Sequence, residues 1–205
     1  MSQDPFSDVP DDQLMIRISG GDAAALSALF GRRHVDVYRV AMLMTGSAAA
    51  AEDVTQDVFL AVMRDGARFE PGRATVTAWL CGIARNHARR RLHRDLRMVP
   101  FPEDSEPIGP ESVAAADPLR DLARAQQIES LRRAVLTLPL KYREVVVLCD
   151  LQDLSYADAA TALECSLGTV RSRLHRGRAL LHAKLRANED RPAAHGKKKI
   201  AGCLA

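Results

Sequence analysis

Prolines crowd the middle of this chain. Pro100, Pro102, Pro107, Pro110 and Pro118 share one stretch with Gly109 and the acids Glu103, Asp104, Glu106, Glu111 and Asp117. A proline ring removes a backbone donor and clashes with the preceding helical turn, so no continuous helix crosses this stretch. Extended, solvated backbone is what such a composition favours. Residues 99–118 are therefore read as an acidic, flexible linker, and folding must happen separately on either side of it.

Both sides read as helical. Asp22 is placed to cap a helix whose apolar residues Leu26, Leu29, Phe30, Val37, Val40, Ala41 and Met44 recur at helical spacing up to Gly46. Ser47 opens a second helix carrying Val54, Val58, Ala61 and Val62 on one side. Phe69-Glu70-Pro71-Gly72 is a turn signal, and a third helix is expected over about 77–97. Beyond the linker, helices are expected over 119–137 and 140–151, with Pro139 at a first helical position. Val145-Val146-Val147-Leu148 is the sole strand candidate, and its flanks favour a buried helix. The fold class that follows is all-α, two small helical domains on a flexible linker. The expected boundaries are a disordered start at 1–11, a first domain at 12–98, a second at 119–187 and a basic disordered tail at 188–205.

Charge then locates function. The formal net charge is only +3, from 29 Lys+Arg against 26 Asp+Glu, so this is no bulk polycation. The positives are concentrated instead. Arg85, Arg89, Arg90, Arg91, Arg94 and Arg97 face one acid, Asp95, and Arg171, Arg173, Arg176, Arg178, Lys184 and Arg186 face none across 166–186. Two such blocks separated by acidic stretches point to two phosphate-facing surfaces.

The second block sits in the clearest motif, Leu154-Ser155-Tyr156-Ala157-Asp158 through Gly168-Thr169-Val170-Arg171-Ser172-Arg173-Leu174. Ser155 with Asp158 reads as a capping box opening a small-sided, alanine-rich helix; after a short turn, Ser166 can cap another. At 100° per residue Val170, Leu174, Gly177 and Leu181 share one side and must face a core. Ser172 lies opposite, with Thr169 and Arg176 to one side of it and Arg171 and His175 to the other. Hydrogen-bond donors and guanidinium groups near a helix start suit base edges in a major groove and the phosphates around them. A plain solvated basic face is the bland alternative, and the capped helix before it favours DNA.

In the first block, Leu80, Ile83, Ala84, Ala88 and Leu92 track one face, while Asn86, Arg89, Arg90, His93 and Arg97 occupy the other. A carboxamide can bind a base edge at two points, whereas arginines mainly hold backbone. Trp79 opens this helix; it could stack on an unpaired base, but an ordinary core tryptophan is the favoured reading. On the helix from Ser47, Asp53, Gln56, Asp57 and Leu60 share a face that would repel phosphate. By itself that face is plain solvent surface or a protein-docking site, with solvent surface preferred.

Four segments in this order resemble bacterial RNA polymerase sigma factors of the sigma-70 family: Asp53-Val54-Thr55-Gln56-Asp57-Val58-Phe59, Trp79 to Asn86, Leu138-Pro139 with Arg143-Glu144, and Gly168 to Arg178. The short two-domain layout is similar to the extracytoplasmic-function (ECF) group, and the likeness spans about 12–186. It implies a promoter-specificity subunit, not an enzyme. Asp53, Gln56 and Asp57 would dock on core RNA polymerase. Trp79, Asn86, Arg89 and Arg90 would serve the −10 element, with Phe69–Thr75 as the candidate loop for a flipped base. Thr169, Arg171, Ser172, Arg173 and Arg176 would read the −35 element of promoter DNA. An anti-sigma factor is expected as a partner. Cys81 and Gly82 depart from the larger, more polar pair common in relatives; the glycine is expected to permit close packing.

Other classes find little support. Cys81, Cys149, Cys165 and Cys203 form no CxxC, and the first three are expected as small buried hydrophobes. The histidines His34, His87, His93, His175, His182 and His195 are dispersed, with no metal-protease or phosphate-loop pattern. No cofactor, metal or small-molecule substrate is therefore expected. Nowhere do about 18 apolar residues run together, so no membrane insertion is expected and the chain is read as cytoplasmic. The rival that stays open is a stand-alone helix-turn-helix regulator using 119–186, with the first half as a sensor.

Overall fold

Asp22 does what its position suggests: its Oδ1 accepts from the backbone N–H groups of Ala24 and Ala25 at 3.0 and 3.1 Å, tying down two donors that a helix start leaves unpaired. The computed structural model describes residues 5–98 and 118–189. All regular structure among them is helical. α1 is Asp11–Ser19, α2 Ala23–Thr45, α3 Ala48–Asp65, α4 Val76–Met98, α5 Pro118–Leu136, α6 Leu140–Val146, α7 Tyr156–Ala162 and α8 Leu167–Glu189. The 99–118 linker, the Lys197–Lys199 tail and Cys203 lie outside the described residues, apart from Pro118 at the start of α5.

α2 ends at Gly46, whose φ of 77° is the left-handed conformation that L side chains resist. Ser47 then caps α3 by accepting from Ala50 N–H at 3.3 Å. The first module packs α2, α3 and α4 together around Leu29, Val37, Val40, Met44, Val54, Val58, Val62 and Leu80, all buried. Its start is tied in as well. Arg32 donates to the carbonyls of Phe6 and Val9 and pairs with Asp11 at 2.9 Å, and Phe6 is buried within the stretch expected to be disordered.

In the second module α6 and α8 pack face to face, with Val145, Val146, Leu148, Val170 and Leu174 buried. Here the structure corrects two expectations. Pro139 sits one residue outside α6, at its N-cap. The helix expected to run to Leu151 changes at Val147 into a π-helical segment, Val147–Leu151. Four successive buried residues, Val145–Leu148, mean that this segment is enclosed on several sides and not along one stripe. Of the cysteines, Cys81 is fully buried, whereas Cys149 and Cys165 are only half-buried.

The two modules touch. α4 lies against α7, and the α2–α3 turn lies against the end of α5. A Cβ on Gly82 would stand 3.4 Å from the Ala162 Cα and carbonyl oxygen, so the two helices approach backbone to backbone. Close packing at Gly82 was expected; that its partner lies in the other module was not. Arg143 of α6 donates to the Met44 carbonyl at 2.7 Å, closing the exposed end of α2.

Candidate nucleic-acid and polymerase interface

The recognition helix starts where Ser166 Oγ accepts from Thr169 N–H at 3.2 Å. The turn before it needs Glu164 at a φ of 52°, an uncommon left-handed position for a non-glycine residue. Val170, Leu174 and Gly177 are buried and Leu181 half-buried, as the spacing requires. Arg171, Ser172 and Arg176 are exposed and Arg173 is half-buried. Two candidates are partly occupied. The Thr169 hydroxyl bonds Ser166 Oγ at 2.9 Å, and the Ser172 hydroxyl donates to the Thr169 carbonyl at 3.1 Å. Arg176 is hydrogen-bonded to the Tyr142 phenol and, with Lys141, holds that phenol below its usual range. Arg178 is spent on Asp150, its Nε 3.0 Å from Oδ2, which keeps its guanidinium charged and out of the reading face.

On α4 the basic stripe is less free than its sequence suggests. Arg90 is exposed and lines a cleft of about 770 Å³ with Asp57, His87, His93 and Arg94. Asn86 and Arg89 are half-buried. The Asn86 carboxamide oxygen accepts from Arg85 Nη1 at 2.9 Å, and Arg89 stands 3.6 Å from Glu144 of the second module. Trp79 is half-buried with its ring edge-on to Phe69, centroids 5.8 Å apart, which suits a packing role at the head of α4.

On α3, Asp53, Gln56, Asp57 and Leu60 form one exposed face. The carboxylates are not bare: Asp53 pairs with Arg91 and Asp57 with His87 Nδ1 at 3.2 Å, both from α4. Beside Gln56 opens an apolar cleft of about 400 Å³ lined by Phe30, His34, Val35 and Tyr38. Phe30, Leu60 and Met63 expose 45%, 59% and 59% of their surface. Sequence reasoning passed over Phe30 because its spacing also fits a core helix. Glu144 was noted only within the Arg143-Glu144 segment, and no local pattern marks it as a partner for Arg85.

Among the described residues no cluster of metal-ligating side chains occurs, and no helix is long and apolar enough to cross a membrane. Burial pushes the Cys81 thiol up to about 12 and that of Cys149 to about 11, so neither is a ready nucleophile.

Comparison with known proteins agrees with this layout. The family model described as Sigma-70 region 2 matches residues 29–97, and Sigma-70, region 4 matches 128–181. The ECF RNA polymerase sigma factor SigE of Mycolicibacterium smegmatis is 36% identical over 180 residues, covering 84% of this chain and 67% of that one. SigM of Mycobacterium tuberculosis is 33% identical over 172 residues, covering 83% and 82%. The sigma factor RpoE of Bartonella quintana, solved with the anti-sigma factor NepR, superposes with a TM-score of 0.61 at 27% identity, covering 80% of this chain and 98% of that one. An acidic α3 face, a basic α4 and a capped recognition helix, arranged as regions 2 and 4 in that order, make this chain a member of the ECF RNA polymerase sigma factors, non-enzymatic subunits that bind core polymerase and promoter DNA to start transcription.

Proposed function

We propose how the chain divides that work among its residues. Region 2, over 12–98, docks on core polymerase through Asp53, Gln56 and Asp57. The α4 residues Asn86, Arg89 and Arg90 then serve the −10 element, with Trp79 setting the head of the helix. Region 4, over 119–187, reads the −35 element with Arg171, Ser172, Arg173 and Arg176, while Thr169 shapes the helix start. The observation that carries this reading is the opposite sign of two exposed helix faces: acids on α3, and on α8 arginines with no acid among them across 167–186. Like charge would keep the α3 face off phosphate and complementary charge would steer α8 onto it. Two weak readers on one chain bind as one, because the second contact is intramolecular. The chain works in the cytoplasm, where polymerase and promoter are, and an anti-sigma protein holds it in reserve, as NepR binds the similar RpoE.

The test is the double variant Asp53→Lys, Asp57→Lys. Both side chains are at least half exposed, so their pairs with Arg91 and His87 contribute little to the fold. The variant is expected to melt close to the parent, lose co-purification with core polymerase, and retain binding to a −35 duplex. A variant that still co-purifies places the docking face elsewhere.

A further inference from the structure

Part of the α4 face assigned above to the −10 element lies against region 4: Asn86 and Arg89 are half-buried beside it, while Arg90 stays exposed. We infer that Glu144 and Asp158 form a two-point latch that holds the free chain closed, withholding that part of the −10 surface while leaving the −35 helix open to DNA. The inference rests on the assignment of α4 to the −10 element and goes beyond it by giving the two contacts an order.

At the first point, Arg85 Nε donates to Glu144 Oε1 at 2.9 Å and Nη2 to Oε2 at 3.4 Å. Both side chains are almost fully buried, 8% and 3% exposed, and Arg89 adds its charge at 3.6 Å. While Arg85 is held there, its remaining terminal nitrogen occupies the Asn86 oxygen, so the one carboxamide suited to a base edge is engaged too. At the second point, Asp158 Oδ1 accepts from the Thr75 backbone N–H at 3.1 Å and lies 3.4 Å from its hydroxyl. Thr75 caps α4 by accepting from Ala78 N–H at 3.2 Å, and it ends the loop expected to take a flipped base. Asp158 also holds the Ser155 hydroxyl at 2.8 Å, so the α7 cap and the α4 start share one carboxylate. Between the two points Gly82 meets Ala162, where small side chains let the helices close without interlocking.

The same chemistry makes the latch releasable. A buried ion pair gains little over the same two charges separately hydrated, because desolvation offsets the attraction. Opening returns both to water, and a DNA backbone offers Arg85 and Arg89 a replacement anion. Among the described residues nothing comparable covers α8, whose Arg171, Ser172 and Arg176 are exposed in the closed chain. The upstream element is therefore available first, and the downstream element only after region 4 swings away from α4.

A reversible crosslink tests this in the full chain. A Cβ at position 82 lies 3.6 Å from the Ala162 Cβ, within the usual range for a disulfide. Gly82→Cys with Ala162→Cys should oxidise to an 82–162 bond, identified by mass mapping. Oxidised, it should bind a −35-only duplex within twofold of the parent and initiate from a two-element promoter with core polymerase at least tenfold less. Reductant should restore initiation. Glu144→Gln should do the reverse, raising initiation several-fold at limiting concentration and increasing the radius of gyration by small-angle scattering. An oxidised chain that initiates as well as the reduced one overturns the latch and leaves the sigma reading intact, as does failure of the bond to form. A Glu144→Gln chain with the parent's radius and activity also overturns it. A parent chain that cannot initiate with core polymerase overturns instead the reading beneath.

Discussion

Gly177 lies where the recognition helix crosses α6, and replacing it by alanine sets two effects of known size against each other. A Cβ there would lie 2.8 Å from Val146 Cγ2 and 3.4 Å from the Tyr142 carbonyl oxygen. Val146 is fully buried and β-branched, so it has little freedom to turn away. Overpacking of this kind costs about 1–3 kcal/mol. Against it stands the helix-propensity gain of alanine over glycine, about 1 kcal/mol. The expected result is a net loss of about 0–2 kcal/mol, which for a chain of this size lowers Tm by at most about 4–8 °C. Val146→Ala by itself should cost about 2–3 kcal/mol through lost burial and the cavity left behind. Together the two changes should cost less than their sum by about 1 kcal/mol, since the new methyl occupies space the old ones vacated. Thermal melts of the four chains measure all of this. The reasoning is refuted if Gly177→Ala raises Tm, for then α8 stands off α6 and the reading face is not positioned by that contact.

Gly31, in the exposed part of α2, supplies the contrasting case: nothing lies within 4 Å of its would-be Cβ, so Gly31→Ala should raise stability by about 0.5–1 kcal/mol in the same melts. Arg176→Ala should weaken −35 duplex binding by about 1–3 kcal/mol in a titration, with Tyr142→Phe showing a smaller loss through the same guanidinium; unchanged promoter activity in Arg176→Ala sinks the assignment. The Cys81 thiol, raised by burial from 9.0 to about 12, stays protonated in the fold where the unfolded chain would ionise. The folded state then holds more protons than the unfolded one between those values, so stability falls as pH rises through that window. Cys81→Ala should flatten this part of the pH–Tm curve.

What the sequence disclosed was what local chemistry decides. Asp22, Ser47, Ser155 and Ser166 each cap the helix they were expected to cap, because a short side-chain oxygen before an apolar repeat satisfies donors two or three residues on. The buried stripe of α8 followed from spacing alone. The contacts between modules did not. Arg85 and Glu144 are 59 residues apart, and nothing next to either marks it as the other's counter-ion. Arg85 was read as one more member of a basic block, although its position places it beside Ala84 and Ala88 on the buried side. Gly82 shows the same divide: its smallness announced a close approach, but only the fold names Ala162 as the surface approached.

The acids that face α4 resolve into two kinds, and burial separates them. Asp53 and Asp57 meet Arg91 and His87 at a wet surface, where such pairs contribute about 0–1 kcal/mol and salt screens them. A partner protein or a phosphate displaces them at little cost, so they tune the charge of the docking face without closing it. Glu144 meets Arg85 where neither is more than 8% exposed. Removing one partner there strands the other, and only separation of the modules rehydrates both. A basic stripe that looks uniform in sequence is thus graded in availability: Arg90 is open, Arg91 is loosely screened, and Arg85 and Arg89 are tied to region 4. The step that exposes the whole stripe is therefore a movement of domains and not a rearrangement of side chains.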